Sequence, residues 1–297
     1  MKRKKEPLCF ACKVQGYSHQ RTGKVCQDDA GALRLRSNAK RLGAWVAVVS
    51  DGHGGDRYVR SERGSRFAVE AAIGALKDFL ESIGRGRSLE RMKSAAAQDV
   101  MPQLCQNIYY RWQERVKEDI QKHPFTSEEK DLLKMGDDKD KDSLKAYGAT
   151  LIAALVCPGH FWLALQIGDG RCIIQQADGT FKQAIELDER CFLNVTTSLC
   201  DEKPLERFHY CFSSTDFPRA VFLASDGVDD SFANDTDMFG FYQEILRTFR
   251  WRSGKKLEKE KEEIRDFLPI LSQKGSGDDI SVAGIILENK EILRYPF

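Results

Sequence analysis

The feature that most constrains this chain is an apolar, strand-like run that ends in an acidic, glycine-rich turn. Residues 46–50 read Val-Ala-Val-Val-Ser, and Asp-Gly-His-Gly-Gly follows directly at residues 51–55. A short β-branched run bounded by such a turn is typical of a buried strand. Because glycine permits tight turns and close approach of the backbone to a ligand, the pattern predicts a carboxylate and an imidazole at a sheet edge.

The same arrangement occurs twice more, far away in the sequence. The run at residues 221–225 ends in Asp226-Gly227, and Asp278-Asp279 directly precedes the run at residues 280–286. Each turn alone fits a strand end with an Asx-type turn equally well. Carboxylates at several strand ends are what a site for a hard divalent cation requires, so their recurrence favours a metal site.

Hydrophobic periodicity gives a coarse order of strands, two helices, strands, a helix and a final strand. Strands are predicted at residues 10–16, 31–36, 44–50, 150–157, 161–167, 171–176, 220–224 and 280–287, and helices at 68–83, from 88 to 116, and at 257–271. Strands and helices that are segregated in this way indicate an α+β fold. Since neither a linker nor an internal repeat divides the chain, we expect one domain over residues 1–297.

Two segments depart from this regular pattern. Residues 121–145 are dense in charge and poor in apolar side chains, which predicts a charged surface loop. Residues 188–219 show no clear periodicity and are expected to be irregular. The three runs between 150 and 176, joined by short glycine-containing turns, predict a meander of antiparallel strands.

Charge and cysteine content exclude several functional classes. The net charge of +1 gives no indication of a nucleic-acid or anionic-membrane surface. No apolar run reaches membrane-spanning length, and no apolar region follows the basic N-terminus as in a secretory signal. Nine scattered cysteines, an odd number, indicate reduced core residues, so we expect a cytoplasmic protein that does not contact membranes.

In sequence order, six short motifs resemble those of the type 2C metal-dependent serine/threonine protein phosphatases, in their compact bacterial form. The motifs are Gln27-Asp28, Asp51-Gly52-His53-Gly54-Gly55, Gly148-Ala149-Thr150, Gly168-Asp169-Gly170-Arg171, Ser225-Asp226-Gly227 closing at Asp230, and Asp278-Asp279-Ile280-Ser281. Individually each motif is weak, but the six together span nearly the whole chain in the family's order.

The resemblance implies a four-layer α/β/β/α sandwich, in which two antiparallel sheets are flanked by helices, and a site for two Mn²⁺ or Mg²⁺ ions. Asp51 would bridge the ions, the Gly52 carbonyl would bind one of them, and Asp226 and Asp278 would bind the other. The remaining positions carried over are Asp28 acting mostly through water, Gln27 orienting metal-bound water, and Asp169 and Asp230 at a third, weaker metal. His53 matches the histidine proposed as general acid.

The activity implied by the resemblance is hydrolysis of phosphoserine or phosphothreonine in proteins by a metal-bridging hydroxide, opposing a serine/threonine kinase. Phosphate capture is assigned to Arg21 and Lys24, although neither lies at the usual offset of the family's arginine. Asp229 stands where relatives carry Trp. We expect a monomer.

Two alternative functions stay open. One is a catalytically weak scaffold that binds phosphoproteins, and the other is a different metal-dependent phosphoester hydrolase. The near-neutral net charge argues against a nuclease.

Overall fold

Ten β-strands form two antiparallel, five-stranded sheets in the computed structural model, which describes residues 7–37, 42–83, 92, 99–134, 139–191, 195–249 and 255–287. The first sheet has the order β2 (Asp29–Arg36), β3 (Gly43–Ser50), β4 (Leu151–Cys157), β5 (Phe161–Ile167), β8 (His209–Ser213). The second sheet has the order β1 (Leu8–Val14), β10 (Ile280–Ile286), β9 (Ala220–Ala224), β6 (Arg171–Gln175), β7 (Phe181–Gln183).

The two sheets pack face to face, and β3 shows how its sequence achieves this. Trp45, Ala47 and Val49 belong to the apolar layer between the sheets. Val46 and Val48, which point to the opposite face of the strand, belong to the layer under the outer helices. Because both faces of β3 are buried, its sequence is continuously apolar rather than alternating.

Helices cover the outer face of each sheet. The described helices are α1 (Tyr17–Thr22), α2 (Ser61–Ile83), α3 (Val100–Lys122), α4 (Ser127–Leu133), α5 (Lys139–Lys145), α6 (Asp226–Asp229), α7 (Asp235–Phe249) and α8 (Lys255–Lys274). Side chains of α2 and α3 pack on the first sheet, and those of α7 and α8 pack on the second. The predicted four-layer α/β/β/α sandwich is therefore confirmed. None of the described helices has the length and apolarity that crossing a membrane would require.

The helix predicted at residues 68–83 forms the end of α2, which begins earlier, at Ser61. Its small residues Ala68, Ala72 and Ala75 are fully buried, so the helix packs closely on the sheet. The second predicted helix is α3, which is described from Val100. Its expected start at residue 88 lies outside the described residues.

The prediction of a loop at residues 121–145 is wrong over its described part, which contains α4 and α5. Thr126 and Glu129 form a reciprocal capping box at the start of α4. Glu129 also accepts two hydrogen bonds, at 2.7 and 2.8 Å, from the guanidinium of buried Arg60 in the segment before α2. The described part of the segment is mostly exposed, as its charge indicated, but its two helices were missed because short helices at the surface show little hydrophobic periodicity.

Three further details differ from the sequence-based expectations. The segment at 188–219 contains a strand, β8, and α7 was not predicted at all. The meander between 150 and 176 is wrong for its last strand, because β6 pairs with β7 and β9 in the second sheet. Since β5 and β6 are both largely buried, hydrophobic periodicity could not reveal that the chain changes sheets between them.

Candidate metal and catalytic site

Carboxylates from five separate turns meet at one end of the sandwich. Asp28 directly precedes β2, Asp51 follows β3, Asp169 lies between β5 and β6, Asp226 begins α6, and Asp278 lies two residues before β10. Strand pairing brings these ends together, because residue 29 opposes residue 50 in the first sheet and β9 pairs with β10 in the second. The sequence-predicted acidic positions are thus gathered by the antiparallel register.

Three of these residues, Asp51, Asp169 and Asp226, are the inner carboxylates. One oxygen of each lies within 4.8 Å of the others. Burial raises the pKa of Asp51 well above its usual range, and the charges of neighbouring aspartates, Asp226 first, raise it further. The pKa of Asp226 is raised by the same two causes, and that of Asp169 by burial. A bound cation would remove this repulsion.

Asp28 is the most deeply buried acidic residue of the site, with 1% exposure. Burial raises its pKa to about 7, against opposing hydrogen bonds from Ser225 and Ser281. Its Oδ2 atom has no hydrogen-bond partner within the part of the chain that the structure describes. A buried carboxylate oxygen that is left unpaired is costly, which fits a role toward a metal ion or its water.

Asp278 and Asp230 lie at the rim of the inner carboxylates. The side chain of Asp278 is 56% exposed, and its charge contributes to the raised pKa values of Asp51 and Asp226. Asp230 is exposed as a whole residue, but its carboxyl group is partly buried. This burial raises its pKa, and the negative charge of Asp229 raises it further. Both positions can supply an oxygen toward the cluster from the solvent side.

Asp229, the additional acid of the α6 turn, is held by an arginine. The Nε atom of Arg171 donates to Asp229 Oδ2 at 2.9 Å. Arg171 follows the glycine-rich turn that carries Asp169, so this ion pair connects two of the acidic turns. Asp229 therefore has a partner of its own, beside the inner carboxylates.

The donor set fits Mg²⁺ or Mn²⁺. The side chains that converge on the inner carboxylates present carboxylate oxygens, which these hard ions prefer, and no thiolate or imidazole belongs to that group in the described chain. The mutual repulsion of several buried carboxylates and the unpaired oxygen of Asp28 indicate the place where a divalent charge would be stabilised.

Gly52 and Gln27 fix the shape of the turn after β3. A Cβ atom at Gly52 would lie 2.6 Å from the carbonyl oxygens of Gln27 and Ser61, so only glycine fits between these segments. The Gln27 side-chain amide donates to the His53 carbonyl at 3.0 Å and to Ser61 Oγ at 2.6 Å. Gln27 thus joins the segment that carries Asp28 to the turn that carries Asp51.

His53 is enclosed by aromatic and basic neighbours. Its backbone N–H donates to the Gly148 carbonyl at 3.1 Å, and its ring lies edge-on to Tyr58 at 4.8 Å. Burial, followed by the positive charge of Lys145, lowers the pKa of His53 to about 4. At neutral pH the imidazole is therefore uncharged in the absence of substrate.

The two predicted phosphate-binding residues lie in and just after α1. Arg21 and Lys24 are both exposed, and the guanidinium of Arg21 lies 5.9 Å from the ring centroid of Tyr17. Sequence reasoning missed Lys145, whose ammonium lies 5.9 Å from the Tyr58 ring and whose charge acts on His53. It missed this lysine because residue 145 ends the segment that was interpreted as a surface loop.

Carboxylates at strand ends that lie close together and repel one another form a group that could hold a divalent cation. The chain belongs to the protein phosphatase 2C family, whose family model matches residues 15–268. It is thus a metal-dependent protein serine/threonine phosphatase by family. No curated protein sequence matches this chain.

Several solved structures share the fold at low sequence identity. A bacterial serine phosphatase superposes with a TM-score of 0.59 at 15% identity, covering 96% of this chain and 99% of that one. Serine/threonine phosphatase Stp1 from Staphylococcus aureus gives 0.57 at 15% identity, covering 97% and 100%. PppA, described as a regulatory component of T6SS in Pseudomonas aeruginosa, gives 0.53 at 15% identity, covering 95% and 98%.

Proposed function

We propose that this protein hydrolyses phosphoserine and phosphothreonine in proteins, using two Mn²⁺ or Mg²⁺ ions at the acidic end of the sandwich. The observation that supports this is the group of inner carboxylates, whose oxygens lie within 4.8 Å of one another. Asp51, Asp226, Asp278 and the Gly52 carbonyl would hold the ions, Asp28 and Gln27 would act through water, and Asp169 and Asp230 would serve a weaker third ion.

Divalent ions bound there would supply a hydroxide nucleophile at neutral pH and would neutralise charge on the phosphoryl oxygens. The residues of the chain position the reaction. Asp51 comes from the first sheet and Asp226 from the second, so the sandwich itself fixes their separation. Gln27 holds the His53 carbonyl and so keeps the histidine turn beside the carboxylates.

His53 is proposed to donate a proton to the serine or threonine oxygen that leaves. Its low pKa in the substrate-free protein means that the phosphate's negative charge would have to raise that pKa before the ring carries the required proton. Lys145, beside the ring, is better placed than the exposed Arg21 and Lys24 to meet that phosphate, and we propose all three as candidates for phosphate capture. The natural substrate is proposed to be a phosphoprotein whose kinase modifies serine or threonine.

A reducing compartment suits this protein, and we propose the cytoplasm. All nine cysteines lie within the described residues and none is in a disulfide.

The metal requirement can be tested with protein that has been dialysed against a chelator. We expect turnover of both a phosphothreonine peptide and para-nitrophenyl phosphate to vanish and to return with Mn²⁺ or Mg²⁺, because the site offers hard oxygen ligands. Turnover that survives chelation would contradict the proposed function, and so would a phosphothreonine peptide that is inert in Mn²⁺.

The role of His53 can be tested by comparing leaving groups. A general acid contributes about 10²–10⁴-fold, and most when the leaving oxygen is basic. His53→Ala should therefore depress turnover of the phosphothreonine peptide far more than turnover of para-nitrophenyl phosphate at saturating Mn²⁺. An equal loss on both substrates, with weaker Mn²⁺ binding, would instead make His53 a residue that maintains the turn.

A further inference from the structure

A buried glutamine supports the turn that carries Asp169. Gln166 lies near the end of β5 and is 3% exposed. By the alternation of the strand it shares a face with Trp162 and Ala164, which belong to the apolar layer between the sheets. A polar amide in such a layer is costly unless it is hydrogen-bonded, so its partners indicate why a glutamine stands at this position.

The Gln166 amide donates to the turn on both sides of Asp169. Its Nε2 atom donates to the Gly168 carbonyl at 3.0 Å and to the Gly170 carbonyl at 2.6 Å. Because carbonyl oxygens only accept, the nitrogen of the amide and not its oxygen must face the turn. Among the described residues the Oε1 atom has no hydrogen-bond partner, so the turn provides the bonds that stabilise this buried amide.

Thr197 bonds to the same turn from the segment between β7 and β8. Its Oγ1 atom accepts the Gly168 N–H at 3.0 Å and donates to Asp188 Oδ2 at 3.4 Å. Both Thr197 and Asp188 are buried, and the guanidinium of Arg190 donates to the two Asp188 oxygens at 2.7 and 2.9 Å. The backbone N–H and C=O of Gly168 are therefore both bonded to buried side chains, those of Thr197 and Gln166.

The turn packs closely against the segment that holds Asp51. Gly168 has a φ of +112°, a conformation that favours glycine. A Cβ atom at this position would lie 2.5 Å from Thr150 Cβ, and Thr150 Oγ1 accepts the backbone N–H of Asp51 at 3.1 Å. The backbone of the turn is thus fixed against a direct neighbour of Asp51.

The other end of the turn is fixed against the strand that leads to Asp226. Arg171 begins β6 and opposes Ala224, the last residue of β9, in the antiparallel pairing of these strands. Asp226 follows two residues later. Since the turn is held against both neighbours, its conformation sets how far the Asp169 carboxylate lies from those of Asp51 and Asp226.

We propose that Gln166 and Thr197 are positioning residues for Asp169: their hydrogen bonds hold the glycine-rich turn so that Asp169 presents its carboxylate to the weaker third ion. The proposal rests on the proposed function, since it assumes that Asp169 serves an ion. Neither residue is assigned as a ligand, because the Gln166 nitrogen offers hydrogens rather than a lone pair and the Thr197 oxygen accepts the Gly168 N–H.

Three substitutions isolate these hydrogen bonds. Gln166→Met keeps the length of the side chain without its donors, and Thr197→Val keeps the shape without the hydroxyl, which Thr197→Ser retains. Residues that orient metal ligands typically change metal affinity by about 10–100-fold when they are removed. We expect Gln166→Met and Thr197→Val each to weaken binding of the third Mn²⁺ about tenfold, and Thr197→Ser to retain most of the wild-type affinity.

The measurement is Mn²⁺ binding to the substrate-free protein, by calorimetry and by electron paramagnetic resonance of the unbound ion. The third ion is identified as the Mn²⁺ that the wild type binds and Asp169→Asn does not. Thermal unfolding shows that each variant is folded. Added to Asp169→Asn, Gln166→Met should cause no further change in Mn²⁺ binding, because a residue that acts through the Asp169 carboxylate has nothing left to orient.

The matched control is Gln175→Met. Gln175 is also buried, and its Nε2 atom also donates to a glycine carbonyl four residues later, that of Gly179 at 3.2 Å. The acidic residue of that turn, Asp178, is exposed and does not belong to the inner carboxylates. Loss of this hydrogen bond should therefore leave Mn²⁺ binding unchanged.

The outcomes are distinct. Unchanged affinity for the third Mn²⁺ in Gln166→Met or in Thr197→Val, in whichever of the two is folded, would overturn the proposal. So would an Asp169→Asn variant that binds as many ions as the wild type, or a loss on Gln166→Met that is the same with and without the Asp169 carboxylate. If the variants behave as expected but the wild type does not hydrolyse phosphopeptides in Mn²⁺, the positioning role stands and the proposed function fails.

Discussion

The acidic end of the sandwich contains two groups of titratable residues that differ in how their charges are balanced. The inner carboxylates, Asp51, Asp169 and Asp226, lie close together; burial raises the pKa values of all three, and the charges of neighbouring aspartates raise those of Asp51 and Asp226 further. In the outer group, formed by His19, Asp278 and Asp279, the Asp279 carboxylate accepts two backbone N–H bonds, and the His19 ring lies 3.0 Å from it.

We propose that this difference separates metal ligation from structural support. Asp278 and Asp279 are adjacent in sequence, yet the side chain of Asp278 is open to solvent and that of Asp279 is saturated with hydrogen bonds. A carboxylate with an open oxygen gains more from a cation than one whose two oxygens each already accept a backbone N–H, as in Asp279. On this proposal, the hydrogen bonds that an aspartate already accepts, and not the residue type, decide whether it serves the metal.

The largest effect is expected from an inner carboxylate. Asp51→Asn should lower turnover of a phosphothreonine peptide by roughly 10³-fold or more, because metal charge stabilisation is worth several kcal/mol and one ligand would be lost. The measurement is steady-state turnover at saturating Mn²⁺, with the exposed Asp266→Asn as the control. Wild-type turnover in Asp51→Asn would show that the inner carboxylates do not hold the ions.

The buried carboxylates of the metal-free protein should also make its folding stability depend on pH. The folded-state pKa of Asp28 is about 7 against an ordinary 3.8, so the folded protein holds more protons than the unfolded chain between these values. Stability of the metal-free protein should therefore fall as pH rises from about 4 to about 7, by at most about 4 kcal/mol from this residue.

Urea unfolding in chelator at several pH values measures this loss. In saturating Mn²⁺ the fall should disappear or reverse, because the bound ion favours the ionised carboxylates of the folded state. A metal-free protein whose stability does not change over that pH range would mean that Asp28 ionises freely in the fold.

Two substitutions, one in the inner carboxylates and one in the outer group, should change the free energy of unfolding by smaller amounts and in opposite directions. In chelator, Asp169→Asn should stabilise the protein by several tenths of a kcal/mol, because it removes a repelling charge. Asp279→Asn should destabilise it by about 1–3 kcal/mol, because charge-assisted bonds to buried N–H groups are weakened. Thermal or urea unfolding checks both variants. Effects of the same sign would remove the distinction between the inner and outer groups.

Much of the fold and of the site could be predicted from the sequence, because both depend on local patterns. The apolar runs before Asp51 and after Asp279 predicted strands, and the confirmed four-layer sandwich followed from the resemblance that the acidic turns carry. Even so, the placement of β6 in the second sheet was missed, because a fully buried strand has no polar face to show which sheet it joins.

The individual roles of the acidic residues could not be predicted from the sequence. The recurring acidic turns marked Asp226 and Asp278 as candidates, the family resemblance added Asp28, and the strand register gathers them at one end. Nothing in the sequence indicated that the Asp279 carboxylate would accept backbone N–H groups of Gly16 and Gln27, which lie about 250 residues away along the chain.

The sequence by itself determined that buried strands would end in acidic turns, since strand period, β-branching and turn glycines are local properties. Only the tertiary structure decided what each charged residue does. Glu129 accepts hydrogen bonds from Arg60, Asp229 accepts one from Arg171, and the charge of Lys145 acts on His53, in each case across elements far apart in the chain. The physical reason is that electrostatic energy depends on distance and on exclusion of water, and both are fixed only when the sheets and helices pack.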